Sequence, residues 1–402
     1  MKIGIIREGK VPIDRRVALS PQQCQAVKEK FPTVELIVQT SPIRCFTDTE
    51  YLQQGLEVRE NVSDCDILLG VKEVPISDLI PNKTYLFFSH TIKKQPYNRQ
   101  LLQAILDQNI CLIDYECLTN ERGSRVIGFG RYAGIIGAYH GLDAYGKRNH
   151  LYQLKPILDC VDINEMKAEL AKVKLPAIKI AITGGGRVAT GVMEILNLIG
   201  TSSVSPADFL TKSYPETVYT QLNSIDYNKT PDGSPFIEAD FFQYPEQFEG
   251  DFYKYTQVTD LLIAAAYWHP DSPVLLTPED IQTSGFKIQV IADITCDIEG
   301  SIPCTKRTST LTEPYFDYNP HTQQLEPAFS QDKNLTIMAV DNLPSGLPRD
   351  ASEDFGNQLI ENIFPFLLEE DSIQMIARAT IAKNGTLTPP FQYLQDYTEG
   401  KE

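Results

Sequence analysis

One segment constrains the fold of this chain more than any other: Ile178-Lys179-Ile180-Ala181-Ile182-Thr183-Gly184-Gly185-Gly186-Arg187-Val188-Ala189. An apolar run that reads as a strand leads into glycines, and helical periodicity starts at Val188. The segment therefore fits G-x-G-x-x-G/A in the strand, turn and helix setting that a dinucleotide pyrophosphate needs. Gly184 allows the tight turn, Gly186 lets backbone approach the ligand, and Ala189 keeps helix and strand close. The helix N-terminus offers unpaired amides to an anion. The expected cofactor contacts are Gly184, Gly185, Gly186, Arg187, Val188 and Ala189.

In NAD-binding folds an acidic residue about 20 positions on, at the end of the second strand, bonds the ribose 2′-hydroxyl. Here that strand is expected at Thr201 to Ser205, and no acid ends it. Asp208 falls in the first turn of the next helix, where it complements the helix dipole. With Ser203, Ser205 and Lys212 nearby and no repelling carboxylate, the pocket has room for a 2′-phosphate. NADP(H) is favoured over NAD(H).

Around this segment, short runs rich in Ile, Val, Leu and Phe alternate with helical stretches, which argues α/β layers with largely parallel sheets. Strands are expected at Lys2 to Ile6, Val34 to Thr40, Asp66 to Val71, Thr84 to Ser89 and Ile110 to Asp114, then at Leu261 to Ala266, Lys287 to Ala292 and Leu335 to Val340. Ser20-Pro21 opens a helix over Gln22 to Lys30, and Tyr97 to Gln108 has helical period. Asp208 to Tyr255 reads as an irregular surface excursion. Ala351 to Glu369 and Asp371 to Ala382 read as closing helices, with Asn384-Gly385 as a stop. The expected fold class is α/β, with two Rossmann-like doubly wound domains and a cleft between them. A discontinuous substrate domain would take residues 1–130 plus 350–402, and the nucleotide domain 131–349.

A balance of 36 basic against 53 acidic residues, net -17, repels phosphate backbones and argues against nucleic acid as a partner. No window is apolar enough to span a membrane, and the start lacks a signal-peptide h-region, so the chain reads as cytoplasmic. The eight cysteines are scattered without metal-ligand spacing, so reduced thiols and a metal-free mechanism are expected.

In open parallel sheets ligands bind beyond the carboxyl ends of the strands. Polar residues stand there repeatedly: Arg7 and Glu8, Lys72 and Glu73, His90, Glu116, with Arg125 opening a later apolar run. A lysine and a histidine together in a cleft suit proton transfer, because burial and mutual repulsion bring both pKa values toward neutrality. Arginines suit substrate carboxylates through bidentate pairing. A lone residue of this kind is usually a solvated loop residue, so the weight lies on the convergence. His140, His150, His269 and His321 lack such a setting and are taken as structural or exposed.

Several strings also carry a resemblance. Arg7-Glu8 with Arg15-Arg16-Val17-Ala18-Leu19-Ser20-Pro21, the Gly70-Val71-Lys72-Glu73 strand end and the glycine loop resemble the alanine dehydrogenase and pyridine nucleotide transhydrogenase superfamily. Lys83 to Lys93, Leu112 to Glu116 and Arg125 to Gly130 look like its lysine-forming saccharopine dehydrogenase and lysine-ketoglutarate reductase branch. The resemblance implies an enzyme that joins lysine to 2-oxoglutarate and reduces the imine to saccharopine with a nicotinamide cofactor. It places the acid/base pair on Lys72 and His90, substrate-carboxylate arginines on Arg16 and Arg125, modulating acids on Glu73 and Glu116, and an aspartate near substrate on Asp341. An alanine dehydrogenase, or a silent sensor of nicotinamide redox state, would use the same scaffold.

Overall fold

In a computed structural model describing residues 1–401, the chain divides into two compact units, Met1–Phe129 with the chain from Pro348 onward, and Gly130–Leu347. Each is built on an eight-stranded sheet.

In the first unit the strand order is Thr386–Leu387, Thr380–Lys383, Cys111–Asp114, Thr84–Phe87, Ile67–Leu69, Lys2–Ile5, Glu35–Gln39, Glu57–Arg59. The six strands between Lys2 and Asp114 run parallel, as short apolar runs covered on both faces do. Ile3, Leu68 and Leu86 are completely buried. Parallel pairing carries the residues that follow Ile5, Leu69, Phe87 and Asp114 to one sheet edge. Ser20 and Gln23 form a reciprocal capping box that opens Pro21–Lys30.

The C-terminal segment differs from the two helices expected. Pro348–Gln358 passes through a π turn at Leu359–Ile363 into Phe364–Leu368. Pro365 has no N–H to give its fourth-preceding carbonyl and its ring would strike it, so the ladder widens there. The second helix is only Met375–Ala379. Thr380–Lys383 is a strand, antiparallel to Cys111–Asp114, which buries Ile381 and Ala382 completely. Sheet burial outweighs helical period in so short a run. Asn384-Gly385 is a hairpin turn and not a helix stop: φ is +54° and +74°, the pair of positive values that a two-residue type I′ loop requires.

The second unit runs Gln324–Glu326, Tyr315–Asn319, Leu335–Met338, Val290–Asp293, Leu261–Ala264, Lys179–Thr183, Val218–Leu222, Ser202–Ser203. All but the Tyr315–Glu326 hairpin are parallel. The expected surface excursion from Asp208 to Tyr255 supplies Val218–Leu222, next to the glycine-loop strand, and buries Phe209, Tyr227, Phe252 and Tyr255 in the core. Thr201 to Ser205 shrinks to the edge pair Ser202–Ser203.

Helix Gly130–Arg148 is buried along most of its length, so it shows no amphipathic stripe in sequence. It crosses the glycine-loop helix Arg187–Leu198 at backbone contact. A Cβ on Gly134 would stand 1.9 Å from the Val188 carbonyl oxygen, and one on Gly191 2.0 Å from that of Arg131. The eight cysteines are unpaired. Among the described residues no helix is long and apolar enough to cross a membrane.

Candidate active site

The first unit gathers polar side chains at the carboxyl edge of its parallel strands. Lys72 and Glu73 follow Ile67–Leu69, and His90 and Glu116 follow the next two strands. His90 is held at φ +53°, a conformation that costs a non-glycine residue about 1–3 kcal/mol and recurs at functional sites. Its Nδ1 lies 2.6 Å from Glu73 Oε1, and the other Glu73 oxygen accepts from Lys10 Nζ at 2.7 Å. That bond fixes the tautomer and leaves Nε2 to exchange a proton. The Phe88 ring stacks beside the imidazole at 6.3 Å.

Burial works against the Glu73 carboxylate, yet the His90 bond and charge, with Lys10, hold it down at about 2. The Lys72 ammonium is lowered by burial first, then by the charges of Arg16 and Lys10. A lysine lowered in this way and a tethered imidazole on the same sheet edge are groups suited to proton transfer.

Arg16 lies almost completely buried, with Nε donating to Asp14 Oδ1 at 3.0 Å and Nη2 to Oδ2 at 2.5 Å. The guanidinium stacks 4.1 Å from the Phe129 ring centroid, and Phe129 stacks on Phe355 at 4.6 Å. Two of the Arg16 nitrogens thus meet a protein carboxylate. Arg125 is nearly half exposed, 3.5 Å from Glu116 Oε1, and Lys93 Nζ stands at the same distance. The Glu116 side chain is 9% exposed, and its Oε2 has no hydrogen-bond partner among the described residues. Arg7 turns away to pair with Glu60 at 2.8 Å.

The second unit holds the glycine loop. Gly184 sits at φ +96°, and a Cβ there would lie 2.9 Å from the Ala266 Cα; only glycine meets both demands. Nothing stands within 4 Å of a Cβ built on Gly186, which caps the twelve-residue helix without a side-chain hydrogen bond. Gly184 to Val188 line a cavity of about 600 Å³ together with Asn223, Ser224, Tyr227, Phe241 and Trp268. Uncapped helix amides beside an aromatic-walled space of that size fit a dinucleotide. Ala189 is buried against the strand behind them.

The 2′-recognition residues expected from sequence lie elsewhere. Ser203 pairs with Tyr219, one strand further out and three residues short of the Leu222 end. Ser205 caps the helix Pro206–Thr211, and Lys212 is paired with Asp208 at 3.0 Å. The strand beside the glycine-loop strand ends instead at Asn223 and Ser224, and the nearest carboxylate, Asp226, accepts the Asn223 amide at 2.8 Å. The sequence signal was present in Val218 to Leu222, but polar and proline-rich flanks masked it. Asp341 is exposed after Leu335–Met338, on the same sheet edge as the glycine loop. His140, expected to be structural or exposed, is buried against the Tyr315 hydroxyl at 3.0 Å, and burial lowers it to about 4. Among the described residues no cluster of His, Cys, Asp or Glu could hold a metal ion.

Residues 4–136 match the family model for the alanine dehydrogenase/PNT N-terminal domain. That stretch, about a third of the chain, is what the family model covers. Along 98% of its length it is 28% identical to an alpha-aminoadipic semialdehyde synthase of Arabidopsis thaliana, of which it covers 41%. The chain thus spans less than half of that relative. Along 90% it is 26% identical to a saccharopine dehydrogenase [NAD(+), L-lysine-forming] of Emericella nidulans, of which it covers 91%. Among solved structures, an L-alanine dehydrogenase superposes with a TM-score of 0.65 at 18% identity, covering 99% of this chain and 100% of that one. That likeness establishes the shared α/β fold.

Proposed function

We propose that this chain is a nicotinamide-dependent oxidoreductase that reversibly condenses L-lysine with 2-oxoglutarate and reduces the imine to saccharopine. The observation that carries the reading is the convergence of Lys72, Glu73, His90 and Glu116 on one sheet edge, with buried Arg16 beside Lys72. Relatives bearing the semialdehyde synthase and saccharopine dehydrogenase names match nine-tenths or more of the chain.

Addition of the lysine ε-amine to the keto carbon gives a carbinolamine, and loss of water from it gives the imine. Both steps move protons. Lys72, lowered toward neutrality, is the base that deprotonates the attacking ammonium. His90, oriented through Nδ1 by Glu73, protonates the departing hydroxyl from Nε2. Arg125 receives a substrate carboxylate, while Arg16, closed on Asp14, supplies the positive charge that lowers Lys72. Glu116 balances Arg125 and Lys93, and Asp341 is a further substrate contact. A bound nicotinamide supplies the hydride that reduces the imine. NADP(H) is the preferred form, supported by Asn223 and Ser224, rather than an acid, directly following the strand beside the glycine loop.

The test is oxidation of NADPH and NADH with lysine plus 2-oxoglutarate, set against ammonia plus pyruvate, for the native chain and for Lys72→Met and His90→Gln. Each variant should lose at least about a hundredfold in kcat and keep its cofactor affinity. Near-native turnover in either would refute the acid/base assignment, and activity confined to ammonia plus pyruvate would refute the substrate assignment.

A further inference from the structure

We infer that Glu8 is a positioning residue for Lys72, its carboxylate gripping the backbone amides of Val71 and Lys72 and so fixing where the Lys72 amine stands. The inference rests on the reading of Lys72 as a proton carrier.

The parallel ladder between Lys2–Ile5 and Ile67–Leu69 ends where Ile6 N donates to the Leu69 carbonyl at 3.0 Å. Beyond that point the chain toward Lys72 has left the Lys2–Ile5 strand, while Val71 O still accepts from Phe88 N at 3.0 Å on the other side, and the Val71 and Lys72 amides are met by a side chain. Val71 N donates to Glu8 Oε1 at 2.7 Å and Lys72 N to Oε2 at 2.8 Å. One carboxylate thus clamps two consecutive amides, in bonds about twice as strong as neutral ones. Glu8 is buried, so water does not compete for them.

The charged and titratable groups facing Glu8 are Asp14 and Arg16 from its own loop, Lys72 at the neighbouring strand end and Tyr115 from the turn after Cys111–Asp114. Tyr115 is buried with its hydroxyl unpartnered among the described residues. Burial, opposed by the two amides and Arg16 and reinforced by Asp14, pushes the Glu8 carboxyl up to about 7. On protonation one oxygen becomes a hydroxyl, a poor acceptor facing an N–H. The clamp therefore loosens as pH falls through neutrality, and Lys72 loses its fixed base.

The test uses the full chain. In the native protein, amide ¹⁵N resonances of Val71 and Lys72 should titrate together with a midpoint near 7. In Glu8→Gln the step should vanish and kcat fall about tenfold, with the Michaelis constant for the cofactor unchanged. Amides that do not titrate in the native chain would overturn the proposal, and this measurement decides even if the variant does not fold. A folded Glu8→Gln with native kcat, or one whose loss appears in the cofactor Michaelis constant, would overturn it as well. Lys72→Met run in parallel separates the two ideas. If it keeps full turnover, the role of Lys72 fails; if it is inactive while Glu8→Gln is native-like, only the role of Glu8 fails.

Discussion

The crossing of Gly130–Arg148 with the glycine-loop helix offers a sharp physical test, because two glycines share one contact. A Cβ on Gly134 or Gly191 would lie about 1.5 Å inside ordinary contact with a carbonyl oxygen of the opposite helix. Backbone cannot rotate away as a side chain can, so the helices must separate. Overpacking of this kind costs about 3 kcal/mol, toward the upper end of its usual range, and glycine to alanine in a helix returns about 1 kcal/mol. Gly134→Ala and Gly191→Ala should each lose about 2 kcal/mol. For a unit of this size that is about 4–8 °C in Tm. Trp268 is the only tryptophan of the chain and lies in the second unit, so its fluorescence follows that unit's unfolding. Once one alanine has pushed the helices apart, the other meets less resistance, so the double variant should lose clearly less than the sum. Single variants within about 0.5 kcal/mol of the native chain, or strictly additive losses, would refute the close-crossing explanation.

Glu73 links stability to acid. Its folded pKa, about 2, lies below the ordinary 4.5, so the stabilisation is full above the ordinary value and is lost as pH falls through the folded one. After discounting for solvent screening this amounts to about 2 kcal/mol. Urea unfolding should show Glu73→Gln less stable by that amount at neutral pH, the gap closing between 4.5 and 2; a gap independent of pH would contradict the assignment. At the cofactor cavity, Asn223→Asp would place a carboxylate at the end of the strand beside the glycine loop. NADPH should then bind at least about tenfold more weakly while NADH binding holds or improves, as read by Trp268 quenching. Equal weakening of both would show that Asn223 does not face the ribose.

Much of the site was legible because it follows a local rule. A polar residue directly after a short apolar strand lies at the sheet edge whatever strands lie beside it, and Lys72, Glu73, His90 and Glu116 were found on that basis. The glycine loop was legible for the same reason, since turn, helix start and close packing are encoded within a dozen consecutive residues. Arg125 and Arg16 had the right residue type, but only packing distinguishes a half-exposed guanidinium from one closed on Asp14 two residues away.

What the sequence by itself determined was therefore the α/β class, the glycine loop and the identity of the strand-end residues, because strand length, apolar pattern and turn chemistry are near-neighbour properties. Tertiary structure alone decided which strand lies beside the glycine loop. Thr201 to Ser205 comes first along the chain, yet Val218–Leu222 takes the inner place and Ser202–Ser203 the edge. Likewise Thr380–Lys383 became a strand by pairing with Cys111–Asp114, which lies almost 270 residues earlier in the chain. Neighbour choice in a sheet is settled by which run buries more apolar surface on both faces. That quantity exists only once the rest of the chain is in place.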